Sequence, residues 1–239
     1  MKRLLLAMLL GVTVAVAVAQ KTIVNDANAV ARTVESFTKI QVSSAVDLYL
    51  SQGDETGVAV SATEVKYRDR IKTEVKDGTL KIWYDNESFG WSSGNKKLRA
   101  YVSVKTLTQL HASGASDVFI NGTVKATDLN VHLSGASDLS GRIEANNLEV
   151  HVSGASDMKV SGVVNNLNIH AGGASDFKGY DLTAQTCDAD ASGASSIYIT
   201  VEKELNADAG GASDIRYKGN AIIKKFNSGG ASSVKKVSK

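Results

Sequence analysis

The chain has 239 residues, of which 43% are hydrophobic and 22% are charged, a balance that excludes a disordered tail and a bundle of membrane helices. With 21 glycines, no proline and one cysteine, it can be neither a collagen helix nor a domain held by internal disulfides. The formal net charge is only +2 and aromatic residues make up 6%, so we expect no nucleic-acid partner.

The first segment of the chain predicts export. Two basic residues precede an apolar run from Leu4 to Val18, and a small-residue cleavage signature ends at Ala19. The run is about 15 residues long, which is short for a bilayer span of roughly 20 residues. We therefore predict a signal peptide over residues 1–19, no membrane-spanning segment after its removal, and a location in the periplasm or at the cell surface. An uncleaved anchor helix is the alternative.

Residues 20–34 are predicted to lead into a single β-solenoid domain over residues 35–239. The part from 35 to 105 is irregular but rich in strand patterns, and Thr73–Ile82 is predicted to be a hairpin with Asp77-Gly78 at its turn. We expect this part to form divergent coils at one end of the solenoid, because an open end exposes unpaired backbone and core.

A pentapeptide of the form Ser-Gly-Ala-Ser-Asp recurs seven times between residues 106 and 233, at steps of 18 to 21 residues. A period near 19 is too short for two packed helices and suits one coil of a β-solenoid. The sequence therefore predicts an all-β parallel β-helix with coils of about 19 residues, followed by a basic tail over residues 234–239. The copies begin at Ser113, Ser134, Ser153, Gly172, Ser192, Gly210 and Gly229.

A stretch of alternating apolar and polar residues precedes the pentapeptides, as in Leu129–Leu133 and Leu148–Val152. Alternation with period two indicates a strand with one buried side. Because stacked coils repeat each position one strand spacing apart, equivalent apolar residues should form a ladder in the core. Cys187 falls in that ladder and is predicted to be a buried apolar residue, not a nucleophile. The ladder consists of Leu129, Leu148, Leu167, Cys187 and Leu205.

The pentapeptides are predicted to be structural turns. Glycine supplies the positive φ that such corners need, and we expect the alanine after it to point into the narrow corner. The serine and aspartate that follow can bond backbone amides left open by the turn. Calcium is the alternative for the aspartates, but the nine-residue repeat of calcium-binding β-rolls is absent, so we predict no cofactor. The turn residues are Gly114, Asp117, Gly135, Asp138, Gly154, Asp157, Gly173, Asp176, Gly193, Gly211, Asp214 and Gly230.

All four histidines lie two residues before a pentapeptide. On stacked coils they should form one outward row with adjacent rings about 5 Å apart. Neutral imidazoles in such a row could share a divalent metal such as zinc, nickel or copper. The alternative is that duplicated coils inherited the same residue without a role. The candidate metal ligands are His111, His132, His151 and His170.

The densest aromatic cluster combines Trp83 and Tyr84 with Trp91, which lies in a polar segment, Ser88–Lys97, that is predicted to be an exposed loop. Exposed rings of this kind could stack on sugar rings, which makes the three residues candidate ligand contacts. The alternative is that Trp83 or Tyr84 packs in the terminal core and the loop covers that end.

Several segments together resemble a known family: Glu35–Val42, Val46–Asp54, Glu74–Leu80 and the repeated Ser-Gly-Ala-Ser-Asp turns. The combination resembles the secreted bacterial DUF2807 proteins, called putative auto-transporter adhesin, head GIN domain. The resemblance covers nearly the whole chain after the signal peptide. It implies a right-handed β-helix of pectin-lyase-like architecture and a role in surface adhesion, without known catalytic residues.

Rows of equivalent residues suit the binding of a repeated partner better than a single chemical step, which needs a few unique acids or bases. We therefore predict a secreted, non-enzymatic, adhesion-type module of the cell envelope that presents its repetitive faces to a glycan or a surface protein. Two alternatives stay open: a carbohydrate-active enzyme of pectin-lyase type, and a structural protein that self-associates into oligomers through the solenoid ends.

Overall fold

The computed structural model describes residues 26–86 and 95–237. Of these residues 64% lie in strands and 2% in helix, and the strands wind into a β-solenoid of about seven turns with coils near 19 residues. The predicted all-β solenoid is therefore confirmed. The predicted signal peptide lies outside the described residues. Within the two described ranges, no helix has the length and apolar character needed to cross a membrane.

The described chain forms sixteen strands and one short helix. The irregular part contains β1 (Val30–Arg32), β2 (Lys39–Val42), β3 (Asp47–Gln52), β4 (Gly57–Ser61), α1 (Val65–Arg68), β5 (Ile71–Lys76), β6 (Thr79–Tyr84) and β7 (Arg99–Val104). The repeats contain β8 (Gln109–Ala112), β9 (Val118–Leu133), β10 (Leu139–Val152), β11 (Asp157–Ala171), β12 (Asp176–Ala191), β13 (Ser196–Ala209), β14 (Asp214–Lys218), β15 (Ile222–Ser228) and β16 (Ser233–Lys236).

The regular coils, from β9 to β13, stack in parallel. Their register places Leu148 beside Leu129 and Leu167, and Cys187 beside Leu167 and Leu205. All five side chains are buried, with at most 3% of their surface exposed. The predicted core ladder, including the position of the cysteine, is thus confirmed, because alternation along each strand sends every second residue to the same interior.

The pentapeptide turns place serine inside and not alanine. Ala136 is exposed whereas Ser137 is fully buried, so the prediction that alanine fills the corner is wrong. The glycine of each turn has a positive φ, which sends the next residue outward and the serine inward. The buried hydroxyls bond the backbone of adjacent coils: Ser156 Oγ accepts from the Ser137 amide at 3.1 Å, and Ser195 Oγ donates to the Ala171 carbonyl at 3.0 Å. The serine ladder comprises Ser116, Ser137, Ser156, Ser175, Ser195 and Ser213.

The N-terminal part closes the solenoid with strands of both directions. β2 lies between β6 and β8, and β3 lies between β7 and β9, so residues 39–52 form a coil directly on the first regular coil. β4 and β5 pair antiparallel with β7 and β6, and β1 pairs antiparallel with β4. Residues 35–105 therefore combine a coil with an antiparallel cap, where the sequence led us to expect divergent coils. A hairpin needs only a tight turn, whereas each added parallel strand needs a whole crossover.

The predicted hairpin within the cap is confirmed. Asp77 and Gly78 join β5 to β6, and their φ values are 52° and 69°. Two successive positive φ values are what a two-residue type I′ turn requires, and Asp-Gly is a preferred pair for that turn.

The C-terminal end of the solenoid is open. Among the described strands, β15 pairs with β13 alone and β16 with β14 alone. Phe226 lies in register with the core residue Ala207 and Ile223 with Leu205, yet 52% of Phe226 and 38% of Ile223 are exposed because no further coil of the described residues covers them. Strand β16 extends to Lys236, so the first residues of the predicted basic tail belong to the last coil.

Candidate functional site

The outward side chains of the strands that precede the turns form one continuous surface, which we call the histidine face. It is built by β5 and β6 of the cap, by β2 and β8, by the C-terminal ends of β9 to β13, and by β15. The coil register brings the four histidines together in its central row, as the sequence predicted. From the cap to the open end, the row is Lys81, Gln41, His111, His132, His151, His170, Asp190, Asp208 and Asn227.

The imidazole rings of the row are stacked. The ring centroids of His111 and His132 are 4.7 Å apart, those of His132 and His151 are 5.9 Å apart, and those of His151 and His170 are 4.8 Å apart. The planes of the first pair differ by 3° and those of the last pair by 14°. Strand spacing thus sets the distance between the rings.

Partial burial and neighbouring imidazoles keep His111 and His132, the two histidines nearest the cap, uncharged. Burial lowers the pKa of His111 and of His132 below the ordinary 6.5, and the next imidazole in the row lowers each pKa further. These two rings are therefore neutral at pH 7. Further along the row, carboxylates approach the rings: His151 Nε2 lies 2.9 Å from Glu149 Oε1, and His170 Nδ1 lies 3.9 Å from Asp190 Oδ2.

The stacked arrangement limits metal binding. The lone pairs of an imidazole lie in the ring plane, so two parallel rings do not direct their nitrogens at one point between them. In the described part of the chain, no three His, Cys, Asp or Glu side chains are grouped so that they could hold a metal ion. The predicted metal site stays a prediction, and it requires at least one ring to rotate.

Polar side chains beside the histidines are linked between coils. Asn130 Nδ2 donates to Glu149 Oε2 at 2.8 Å, and in the adjacent row Asn166 Nδ2 donates to Asn147 Oδ1 at 2.8 Å. Thr186 Oγ1 continues that row by donating to Asn166 Oδ1 at 2.9 Å. These bonds run along the solenoid axis and hold the outward side chains in register. The face is therefore an ordered array of donors and acceptors.

The aspartates of the turns form a second ladder, on the strands that follow the turns. The backbone amide of Asp138 donates to Asp117 Oδ1 at 3.2 Å, and that of Asp157 donates to Asp138 Oδ1 at 3.0 Å. Lys178 forms ion pairs with Asp157 and Asp176. These contacts support the predicted role of the aspartates as turn caps, because each carboxylate binds the backbone or a cation of the protein itself.

The predicted aromatic cluster is divided by the fold. Alternation along β6 leaves Trp83 partly exposed on the histidine face and turns Tyr84 inward. Tyr84 is only 4% exposed and packs with Arg70 and Lys96 against its ring, so it belongs to the core and is not a ligand contact. Trp91 lies outside the described residues.

Sequence reasoning missed a second aromatic group. Tyr101, Tyr49 and Phe119 stack on adjacent coils, with ring centroids 5.2 Å and 5.1 Å apart. The Tyr101 hydroxyl donates to Asp26 Oδ2 at 2.8 Å, and burial together with this bond to a carboxylate raises the pKa of Tyr101 to about 12. The available signal was an equal offset: Tyr49 and Phe119 each follow the alanine of a turn by four residues. Tyr101 gave no such signal, because its strand belongs to the cap.

The thiol of Cys187 is not reactive. It is 2% exposed, and burial raises the pKa of its thiol, with the charge of Asp188 adding to the effect. A thiol without access to solvent and without thiolate character is inert, as predicted.

Residues 36–221 match the family DUF2807, described as putative auto-transporter adhesin, head GIN domain. The chain belongs to this family. No curated protein matches it. The family relation agrees with the resemblance of the N-terminal segments and turn repeats, and it associates the fold with an adhesion-type role.

Solved bacterial structures share the fold. A protein from Bacteroides fragilis described as a putative adhesin matches with a TM-score of 0.78 and 22% identity, over 89% of this chain and 98% of that one. A putative lipid binding protein from Parabacteroides distasonis matches with a TM-score of 0.66 and 23% identity, over 89% and 98% of the two chains. A putative adhesin from Parabacteroides merdae matches with a TM-score of 0.65 and 18% identity, over 88% and 96%. At these identities the likeness concerns the fold.

Proposed function

We propose that this protein is a non-enzymatic, adhesion-type binding module of the cell envelope, and that its histidine face holds an extended glycan. The observation that carries the proposal is the register of the outward rows, in which equivalent side chains recur at one strand spacing along the axis. A polymer also repeats along its length, so successive units can meet the same groups. Membership of a family described as adhesins supports this role.

The chemistry of the central part of the face suits sugar hydroxyl groups. His111 and His132 are neutral at pH 7, and amides stand beside them at Gln109, Asn130 and Asn168. Imidazoles and amides offer both donors and acceptors, which is what a hydroxyl group needs. A bond to Glu149 on the next coil already fixes Asn130, and stacking orders the rings of His111 and His132, so binding would cost little side-chain entropy.

The enzyme alternative has less support. A glycoside hydrolase or a lyase needs a few unique acids or bases placed around one bond. The carboxylates of the aspartate ladder are equivalent to one another and are engaged as turn caps by backbone amides and Lys178. An array of equivalent, occupied groups favours binding over catalysis.

A glycan array probed with the mature chain tests the proposal. We expect binding to extended polysaccharides, and loss of that binding when His132→Glu and Asn168→Glu place two charges in the face. The matched control adds two charges to the strands after the turns, through Ser140→Glu and Ser196→Asp, and should bind as the parent does. Binding to no glycan, or equal loss in both double variants, would contradict the proposal. Release of new reducing ends or unsaturated products from a bound polysaccharide would favour the enzyme.

Self-association is the second candidate, and the open end favours it. Ile222 and Phe226 expose apolar surface beside unpaired strand edges at the end of the last coil. Light scattering over a range of concentrations would detect it. A mass that stays monomeric at every concentration would exclude this candidate without affecting the glycan proposal.

A further inference from the structure

We propose that the cap end of the histidine face is a binding site for a carboxylated sugar unit of an acidic glycan. This inference rests on the proposed function and names the sugar class that its strongest subsite takes. The site consists of two adjoining depressions, of about 360 and 310 Å³, which share Gln41 and Lys81.

The first depression supplies positive charge and hydrogen-bonding groups. Its lining includes the ammonium groups of Lys76 and Lys81, the amides of Gln41 and Gln109, and the hydroxyl of Thr79. Neither lysine forms an ion pair with a carboxylate within the described ranges. The carboxylate of Asp77 also lines this depression but is bound to neither lysine, so an anion that entered here would find two cations that no described carboxylate pairs, and hydroxyl groups beside it would find amide partners.

The second depression supplies an aromatic surface. Trp83 lines it together with Ser43, Ile82, Gln41, Lys81 and the carboxylate of Glu74. The neighbour of Trp83 on the next coil is Ser43, whose amide donates to the Ile82 carbonyl at 3.0 Å and whose side chain is too short to cover an indole ring. A partly exposed indole in the same depression as the Lys81 ammonium group matches a ligand with an apolar ring face and a negative substituent. A sugar acid has both.

Positive charge is concentrated at the cap end of the histidine face, so an anion should bind at this end. On the cap side, Lys39, Lys72, Lys76 and Lys81 outnumber the two carboxylates of Glu74 and Asp77. At the opposite end, the depression of about 350 Å³ is lined by Asp188, Asp190 and Asp208, with Lys225 as its cation. A polyanion would therefore be attracted to the cap and repelled from the far end. An acidic glycan that lies along the face is thus oriented with a charged unit at the cap.

The test measures binding of trigalacturonic acid by calorimetry at pH 7 and low salt, with its methyl ester as the uncharged counterpart. The ester keeps the sugar rings and their hydroxyl groups and replaces each carboxylate with a neutral methyl ester, so we expect it to bind about tenfold more weakly. Lys81→Gln should weaken binding of the acid about tenfold and leave binding of the ester unchanged. Lys225→Gln makes the same change at the far end of the face and should bind as the parent does. Trp83→Ala should weaken both ligands, and a urea denaturation curve will show whether that variant is folded.

Equal affinities for the acid and the ester, or equal effects of Lys81→Gln and Lys225→Gln, would overturn the inference. So would no binding of the acid at all, and so would equal or tighter binding of a sulfated trisaccharide or a thymidine trinucleotide, since the site would then recognise anions in general or nucleic acid. The glycan array distinguishes a failure of this inference from a failure of the proposed function. If neutral glycans bind and His132→Glu with Asn168→Glu abolishes their binding, the proposed function holds although the acidic subsite has failed.

Discussion

His132 lies directly above His111 on the next coil, with ring centroids 4.7 Å apart and planes that differ by 3°. This stack exists because β8 and β9 pair in parallel with these two residues in register. Protonation of both rings would place like charges about one strand spacing apart, and burial already disfavours the charged forms. The stack therefore makes stability depend on pH.

We expect the free energy of unfolding to fall as pH drops from 7.5 to 5.5. The pKa of His111 and that of His132 are lower in the folded protein than the ordinary 6.5. In this range the unfolded chain consequently binds more protons, and acid stabilises it relative to the folded protein. Above pH 7 both states are neutral at these positions and the effect vanishes. Urea denaturation at several pH values should show a smaller decline for His132→Gln than for the parent.

The control for this comparison is Asn168→Gln, on the same face but without a titrating group and without a bond to a carboxylate of the described residues. Carboxylates such as Glu149 titrate in all three proteins, so the difference between the curves isolates the imidazole. The same pH dependence in the parent and in His132→Gln would refute the expectation.

Metal binding by the histidine row should be weak. Any ion can reach only a pair of rings after one has rotated, because the described residues contain no grouped set of three ligands. We expect calorimetry to show weak binding of zinc, nickel or copper at pH 7.5, and a loss of affinity as pH drops through about 6, where imidazoles take up protons. The double variant His132→Gln with His151→Gln should remove the heat. A parent protein that gives no heat above buffer with any of the three metals would dispose of the site.

Glycine should be indispensable at the second position of Gly172-Gly173 and dispensable at the first. Gly173 has a φ of +75°, and a Cβ added there would lie 2.6 Å from the Gly154 carbonyl oxygen. Gly173→Ala should therefore destabilise the protein by about 3 kcal/mol, from backbone strain and overpacking together. At Gly172 the added Cβ meets only Ser192 Oγ at 3.5 Å, and Gly172→Ala should change stability by less than about 0.5 kcal/mol. Urea denaturation of the pair is decisive, and similar losses would mean that the turn tolerates a side chain at either position.

The serine ladder should contribute to stability through single hydrogen bonds. Ser156→Ala removes the acceptor of the buried Ser137 amide, and an unsatisfied buried donor costs about 1 to 3 kcal/mol. Ala155→Ser, one residue earlier on the exposed side of the same turn, should be neutral within about 0.5 kcal/mol. If the two variants unfold at the same urea concentration, the buried hydroxyl has no such role.

The regular coils could be predicted because local pattern and fold agree there. A period near 19 and strict alternation around Leu129, Leu148 and Leu167 leave one arrangement that buries all three, and that arrangement also aligns the histidines. The direction of the turn residues could not be predicted in the same way. Whether Ala136 or Ser137 faces inward depends on the φ of the preceding glycine. Both side chains are small enough to fit a tight corner, so residue size alone does not decide between them.

The arrangement of the cap could not be predicted from the sequence, for a different reason. Nothing local to Lys81, Gln41 or His111 indicates that the three are neighbours, since the chain between Gln41 and His111 includes the antiparallel strands β4 and β5, which break the regular succession of coils. The two adjoining depressions that share Gln41 and Lys81 exist because of that path, and one of them is lined by Trp83.

By itself the sequence determined the solenoid, its period, the leucine and cysteine core and the row of histidines, because each of these follows from repetition at a fixed interval. Only the tertiary structure decided which coil lies on which at the N-terminal end, which side of each turn faces the interior, and where charge collects along the histidine face. These features depend on pairings between segments up to about 70 residues apart, and the free energy of such pairings comes from the assembled core and backbone hydrogen bonds, which no short stretch of sequence encodes.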